Sequence, residues 1–227
     1  MKYKVLLFDA DETLFDFERS ERESLKNTVL EYQIAYDEAY HLIEYQKIND
    51  AIWADLENGL ITLEKLKVER FTRFLKVIDV KADAFEFAAN YMKHLSNSSF
   101  LLDSAKELIE SLYPNYQLAI ITNGITSIQK KRVCQSEIAK YFDAILISEE
   151  VGYQKPQTEI YEAALRELGH NNKEDVLMIG DNLSSDIRGG VNYGIDTCWI
   201  NCKNIENHTM IQPTFSISNI AELCEIL

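Results

Sequence analysis

The sequence lacks several features that mark other classes of protein. It has 23 Lys and Arg residues against 37 Asp and Glu, which leaves a formal net charge of −14. Such a field repels polynucleotides and anionic membrane surfaces, so we expect no polynucleotide and no membrane among its partners. No apolar run approaches the length of a membrane span, and the opening Met-Lys-Tyr-Lys with four apolar residues is too short for a signal peptide.

The sequence also lacks a cysteine pattern for metal binding. Its cysteines, Cys134, Cys198, Cys202 and Cys224, form no C-x2-C pair, and no His cluster accompanies them. We therefore predict reduced, structural thiols in a cytoplasmic protein. Internal repeats, low-complexity tracts and long linkers are missing as well. The 227 residues, 46% of them hydrophobic, predict an ordinary globular chain of one or two domains.

From Asp103 onward, the sequence alternates predicted helices with short apolar strands. The helices are 103–113, 125–139, 157–168 and 184–193, the strands are 117–122, 143–148, 175–180 and 196–200, and a last strand is expected near 214–217. The apolar run Val5–Phe8 predicts a strand at the start of the chain. This alternation predicts an α/β fold, a Rossmann-like parallel-sheet core with helices on both faces.

An inserted all-helical segment separates the first strand from the rest. Apolar residues recur at helical spacing before and after a break at Asn58-Gly59. We predict a core domain of residues 1–15 and 97–227 and a helical cap domain of residues 16–96. The inserted segment begins just after the first strand, so we expect it to lie over the carboxyl ends of the strands. A lid there can exclude water and select substrate.

Three polar residues follow the first strand at a spacing of two. Asp9, Asp11 and Thr13 stand where an open α/β sheet places its ligand site. Two acids so close together are costly unless a cation shares the space. An oxygen-only cluster suits Mg²⁺, which takes few carboxylates and completes its shell with water and phosphate. Taken alone, the pattern also fits a capped loop.

Three later segments carry polar residues at strand exits or helix entries. Thr122-Asn123-Gly124 ends a strand, and its glycine lets backbone N–H groups approach an anion. Lys155 precedes Pro156, which holds it in an extended or turn conformation. Gly180-Asp181 ends another strand, with Asp186 five residues further on. Each segment has an ordinary explanation on its own: a turn, a surface lysine, an acid at a helix start.

The four segments in this order resemble the motifs of the haloacid dehalogenase (HAD) superfamily of phosphohydrolases, those with a helical C1-type cap. The resemblance spans about residues 5–186. Three short segments look most like the sequences of the bacterial pyrimidine 5′-nucleotidase-like branch: Asp9–Phe15, Asn58–Thr62 and Asp196–Asn201.

The resemblance implies a five-stranded core sheet with the Asp9 strand central. It also implies Mg²⁺-dependent hydrolysis of small phosphate monoesters, with nucleoside 5′-monophosphates favoured, through an aspartyl-phosphate. Asp9 would be the nucleophile and Asp11 the acid and base. The metal would be held by the Asp9 side chain, the Asp11 backbone carbonyl and Asp181. Phosphate would be held by Thr122, Asn123, Gly124 and Lys155, and support would come from Thr13, Asn182 and Asp186.

Two alternatives remain open at this point. One is a phosphosugar phosphatase or mutase of the β-phosphoglucomutase type, and the other is a non-catalytic phospholigand-binding protein. Asp11 argues against halide displacement, which needs no acid for its leaving group. Residues that could face the leaving group, each more often structural, are Phe15, Trp53, Arg70 and Tyr153. We expect a monomer or weak homodimer.

Overall fold

The computed structural model describes residues 2–227, apart from the side chain of Glu57, and the chain divides into two compact units. One unit comprises Met1–Phe17 and Ser99–Leu227, and the other is Glu18–Ser98. The division predicted above, 1–15 with 97–227 and 16–96, stays a prediction about domains. Its first residue lies outside the described part of the chain.

The first unit is built on a parallel sheet. Its strands are β1 (Val5–Phe8), β2 (Gln117–Thr122), β3 (Ala144–Ile147), β4 (Val176–Gly180), β5 (Asp196–Ile200) and β6 (Phe215–Ile217). Their order is β3-β2-β1-β4-β5-β6, and every neighbouring pair is parallel. The predicted Rossmann-like α/β fold is confirmed. Over residues 2–227 the sheet has six strands rather than the five implied by the resemblance, because the short β6 extends its edge.

The strands are apolar on both faces because each face packs against its own core. In β1, Leu6 and Phe8 belong to one buried cluster, whereas Val5 and Leu7 belong to another. Side chains alternate between the faces of a strand, so a continuous apolar run is what a sheet covered on both sides requires. The two cores fix the register of the strands and therefore the positions of the residues that follow them.

Helices pack on both faces of this sheet. In chain numbering they are α5 (Ala105–Leu112), α6 (Thr126–Arg132), α7 (Ser148–Val151), α8 (Thr158–Glu167), α9 (Arg188–Tyr193) and α10 (Leu223–Ile226). The predicted helix 125–139 is wrong in its second half. Helix α6 ends at Arg132, because turns over the next residues bring both Val133 and Ile138 into the core. Straight helical geometry would not bury both.

The second unit is helical, with α1 (Phe17–Glu31, entering from the first unit), α2 (Glu38–Glu57), α3 (Leu63–Val77) and α4 (Ala84–Ser96). The side chains of Asp37, Thr62 and Asp83 accept backbone N–H bonds at the starts of α2, α3 and α4. Aromatic rings fill the interior between the helices, with Tyr45, Phe71 and Tyr91 in mutual contact.

A buried polar chain crosses this helical interior. Asn49 donates to Glu21 (3.3 Å) and accepts from Arg70 (3.3 Å). Burial raises the pKa of Glu21 to about 7. Arg70 is 3% exposed and packs over the rings of Phe71 and Tyr91. Its guanidinium is thus part of the interior of the helical unit.

The four cysteines are all free thiols. Among residues 2–227, no helix combines the length and the apolar character that crossing a bilayer demands.

Candidate active site

The polar residues singled out in the sequence converge at the carboxyl ends of three adjacent strands. Phe8 of β1 pairs with Ile120 of β2 and with Ile179 of β4. Asp9 therefore follows β1 next to the end of β2, where Thr122 lies, and the end of β4, which Asp181 follows. Parallel pairing brings together residues from three distant segments because all three strands end at one edge.

Lys155 lies at the centre of this cluster. It is 3% exposed, and its ammonium forms ion pairs with Asp9 and with Asp186, the latter at 2.8 Å. Burial opposes its charge, but the carboxylates of Asp186 and Asp9 raise the pKa of Lys155 overall. A surface lysine is therefore excluded at this position, and its charge is fixed at neutral pH.

The backbone of Lys155 is held by Asn123. The Asn123 amide donates to the Lys155 carbonyl (2.9 Å) and accepts from the Lys155 N–H (2.9 Å). The side chain of Asn123 therefore fixes the backbone of Lys155. Its assignment to phosphate binding stays a prediction.

Asp186 is fixed by the turn that follows β4. The backbone N–H of Asn182 donates to its Oδ2 (3.0 Å), and Tyr161 donates to its backbone carbonyl (3.1 Å). Gly180 packs so tightly against Asp186 that a Cβ there would overlap the carboxylate. The Asn182 side chain caps the turn by accepting from the N–H groups of Ser184 and Ser185.

Three carboxylates crowd this edge of the sheet. One oxygen from each of Asp9, Asp181 and Asp186 lies within 4.8 Å of the others. Burial raises the pKa of Asp9 to about 7, with Lys155 opposing, and burial together with the charges of Asp9 and Asp186 raises the pKa of Asp181 to about 8. When all three carboxyl groups are ionised, the ammonium of Lys155 offsets one of them and two negative charges remain. The donor set therefore fits a divalent cation that prefers oxygen.

Asp11 is not one of these three carboxylates, and it has hydrogen-bond partners of its own. Arg132 Nη1 donates to its Oδ1, and Gln129 Nε2 donates to its Oδ2 at 3.0 Å. Gln129 also donates to Thr122 Oγ1 (2.8 Å), which accepts from the Gly124 N–H as well (3.1 Å). Gly124 is needed here because a Cβ would overlap the Gln129 side chain.

Sequence reasoning missed both Gln129 and Arg132. The available signal was their spacing of three on helix α6, which places them on one helical face. Thr13 is fully buried, and its hydroxyl has no hydrogen-bond partner among the described residues. Its predicted supporting role stays a prediction.

This fold and this edge of the sheet define a class of protein. A model of the haloacid dehalogenase-like hydrolases matches residues 6–200. The chain belongs to this family, and it is a phosphomonoester hydrolase.

Within the family, the chain is similar over its whole length to two bacterial enzymes. It is 39% identical to the pyrimidine 5′-nucleotidase PynA of Streptococcus pneumoniae, covering 100% of this chain and 96% of PynA. It is 35% identical to the pyrimidine 5′-nucleotidase YjjG of Escherichia coli, covering 100% of this chain and 99% of YjjG.

A solved structure is similar over the same range. The HAD-hydrolase YfnB of Bacillus subtilis, crystallised bound to magnesium, superposes with a TM-score of 0.94. The two chains are 33% identical, and the match covers 100% of this chain and 99% of YfnB.

Proposed function

We propose that this enzyme is a Mg²⁺-dependent 5′-nucleotidase that hydrolyses nucleoside monophosphates through an aspartyl-phosphate on Asp9. The observation that carries the proposal is the buried cluster of Asp9, Lys155, Asp181 and Asp186 at the carboxyl edge of the sheet. The substrate class is supported by full-length similarity to two enzymes named pyrimidine 5′-nucleotidase.

The first chemical step forms a bond between an Asp9 carboxylate oxygen and phosphorus. The ester P–O bond breaks, and the leaving nucleoside oxygen takes a proton from Asp11. Water then attacks the aspartyl-phosphate, gives a proton to Asp11 and releases inorganic phosphate with Asp9 restored. Lys155 and the Thr122–Gly124 segment would stabilise the charge on the transferring oxygens.

Asp9, Asp181 and the backbone carbonyl of Asp11 would hold the metal in this proposal. When bound, Mg²⁺ supplies positive charge that offsets repulsion between a carboxylate and a phosphate dianion. Asp186 instead orients Lys155, because its two oxygens are already engaged by that lysine and by the Asn182 N–H. The net negative charge of the cluster and the magnesium-bound structure of YfnB support this cofactor.

Removal of divalent metal should stop turnover. We expect activity to fall to background in excess chelator and to return with Mg²⁺, whereas Ca²⁺ should substitute poorly because it prefers larger and looser oxygen shells. Phosphate release from 4-nitrophenyl phosphate at fixed ionic strength measures this. Full activity in excess chelator would contradict a metal-assisted reaction.

The substrate class is tested by ranking kcat/KM over a panel of phosphate monoesters. We expect nucleoside monophosphates to outrank hexose phosphates, with pyrimidine nucleotides favoured. Nucleoside di- and triphosphates should be poor, because the net charge of −14 disfavours polyanions.

Two results, one from this panel and one from an added bisphosphorylated sugar, would overturn the nucleotide assignment. A kcat/KM for hexose phosphates more than about tenfold above that for nucleoside monophosphates would favour the phosphosugar phosphatase, because such a ratio reflects a clear difference in transition-state free energy. Isomerised product from a bisphosphorylated sugar would favour the mutase.

A further inference from the structure

The carboxyl group of Asp11 is held at both of its oxygens by one face of helix α6. Arg132 donates to Oδ1 and Gln129 donates to Oδ2. Both donors are 1% exposed, whereas 28% of the Asp11 side chain is exposed. The two buried side chains therefore reach outward to a carboxyl group that solvent or substrate can approach.

The Arg132 guanidinium is itself fixed in place. Its centre lies 5.4 Å from the ring centroids of both Phe15 and Phe17. Its Nη1 also donates to Gln129 Oε1 (3.1 Å), which joins the two donors to each other. A guanidinium packed by rings presents its N–H groups in a set direction, so it can orient a carboxylate rather than only neutralise it.

Gln129 links the same carboxyl group to Thr122. Its Nε2 donates to Asp11 Oδ2 and to Thr122 Oγ1. One amide therefore ties the loop after β1 to the end of β2. The space for this amide exists because residue 124 has no Cβ.

We propose that Arg132 and Gln129 are positioning residues that aim the Asp11 carboxyl group at the oxygen of the leaving group. This inference rests on the proposed function, in which Asp11 is the acid and base. Proton transfer requires the two heavy atoms to lie within hydrogen-bond reach, and an unheld carboxyl group on a loop samples other rotamers. A carboxylate has about four lone-pair sites, so two donors leave acceptor positions for the reaction.

Two esters of similar size separate this role from a purely structural one. Benzyl phosphate expels an alkoxide that needs a proton, whereas 4-nitrophenyl phosphate expels a stable anion that hardly needs one. We expect Arg132→Met to lower kcat/KM for benzyl phosphate by about 10² and that for 4-nitrophenyl phosphate by only a few fold. Gln129→Met should also lower kcat/KM for benzyl phosphate more than kcat/KM for 4-nitrophenyl phosphate.

Further variants serve as controls for the loss of charge and for the integrity of the fold. Arg132→Lys keeps the positive charge and should recover part of the loss on benzyl phosphate. Lys131→Met removes a charge from the exposed face of the same helix and should leave both esters within about twofold of wild type. In an Asp11→Asn background, Arg132→Lys should have almost no further effect, because the group it positions is gone. Thermal unfolding of every variant accompanies the kinetics.

Equal losses on the two esters, or no loss from Arg132→Lys and Arg132→Met, would overturn the positioning role and leave Arg132 as a structural partner of Asp11. Full additivity with Asp11→Asn would do the same. These results are distinct from failure of the proposed function, because neither ester is a nucleotide. A wild-type enzyme that cleaves both esters but no nucleotide refutes the nucleotidase assignment alone, whereas one that cleaves neither the two esters nor any nucleotide refutes both proposals.

Discussion

Asp9→Asn is expected to abolish turnover in a protein that still folds. The amide has nearly the volume of the carboxylate but cannot attack phosphorus, so no aspartyl-phosphate forms. We expect kcat to fall by roughly 10⁴ or more, as for other enzymes that lose their nucleophile. The substitution also removes one of three crowded carboxylates, so thermal stability should be kept. Phosphate release and thermal unfolding of the same sample measure the two effects.

An exposed acid in the same unit provides the control. Asp103→Asn removes a carboxylate at an exposed position outside the cluster of Asp9, Asp181 and Asp186, and it should leave kcat unchanged. Rapid-quench trapping with radiolabelled phosphate should give a covalent phosphoenzyme in wild type and none in Asp9→Asn. Substantial turnover by purified Asp9→Asn would remove Asp9 from the nucleophile role.

Loss of Lys155 should have the second-largest effect. Lys155→Met keeps the apolar stem but removes a buried charge that Asp9 and Asp186 hold in place. A preorganised charge of this kind in a water-poor site contributes roughly 10²–10³ in rate, and we expect a loss of that size in kcat/KM. Measurement at saturating Mg²⁺ separates this effect from any change in metal binding.

Related variants test how Lys155 acts. Lys155→Arg should recover little, because a planar fork does not replace a compact ammonium. Asp186→Asn should show a milder loss, and the double variant should lose less than the product of the two single losses. Lys130→Met, at an exposed lysine paired with Glu150, is the matched control. Near-normal kcat/KM for Lys155→Met would refute the electrostatic role.

The main elements of the fold could be predicted because their signal is local. An apolar run buried on both faces predicts a strand without knowledge of its neighbours, and β2 and β5 have the bounds 117–122 and 196–200 that the sequence indicated. The end of α6 was not predictable in this way, because burial of Val133 and Ile138 in one core decides it.

The residues of the site also divide into those with a local sequence signal and those without one. Asp9, Lys155 and Asp181 stand next to strand ends or a proline, so their place in the sequence points to the carboxyl edge. Arg132 has no such mark, and its partner Asp11 is 121 positions away. Phe15 and Arg70, which could have faced a leaving group, are buried in the interiors of their own units. Only tertiary packing distinguishes such residues from surface ones.

The point at which the helical unit joins the sheet unit bears on how the chain folds. Residues 9–116 separate β1 from β2, although these strands are direct neighbours. The segments leading into and out of the insert pair with each other: Asp16 donates to the Phe100 carbonyl (3.0 Å), and Leu102 donates to that of Leu14 (3.0 Å). The ends of the insert therefore meet. Once its helices form, the effective loop that β1 and β2 must close is much shorter, and closure entropy depends only on the logarithm of loop length. The insert can thus vary in length or sequence at small entropic cost to the sheet.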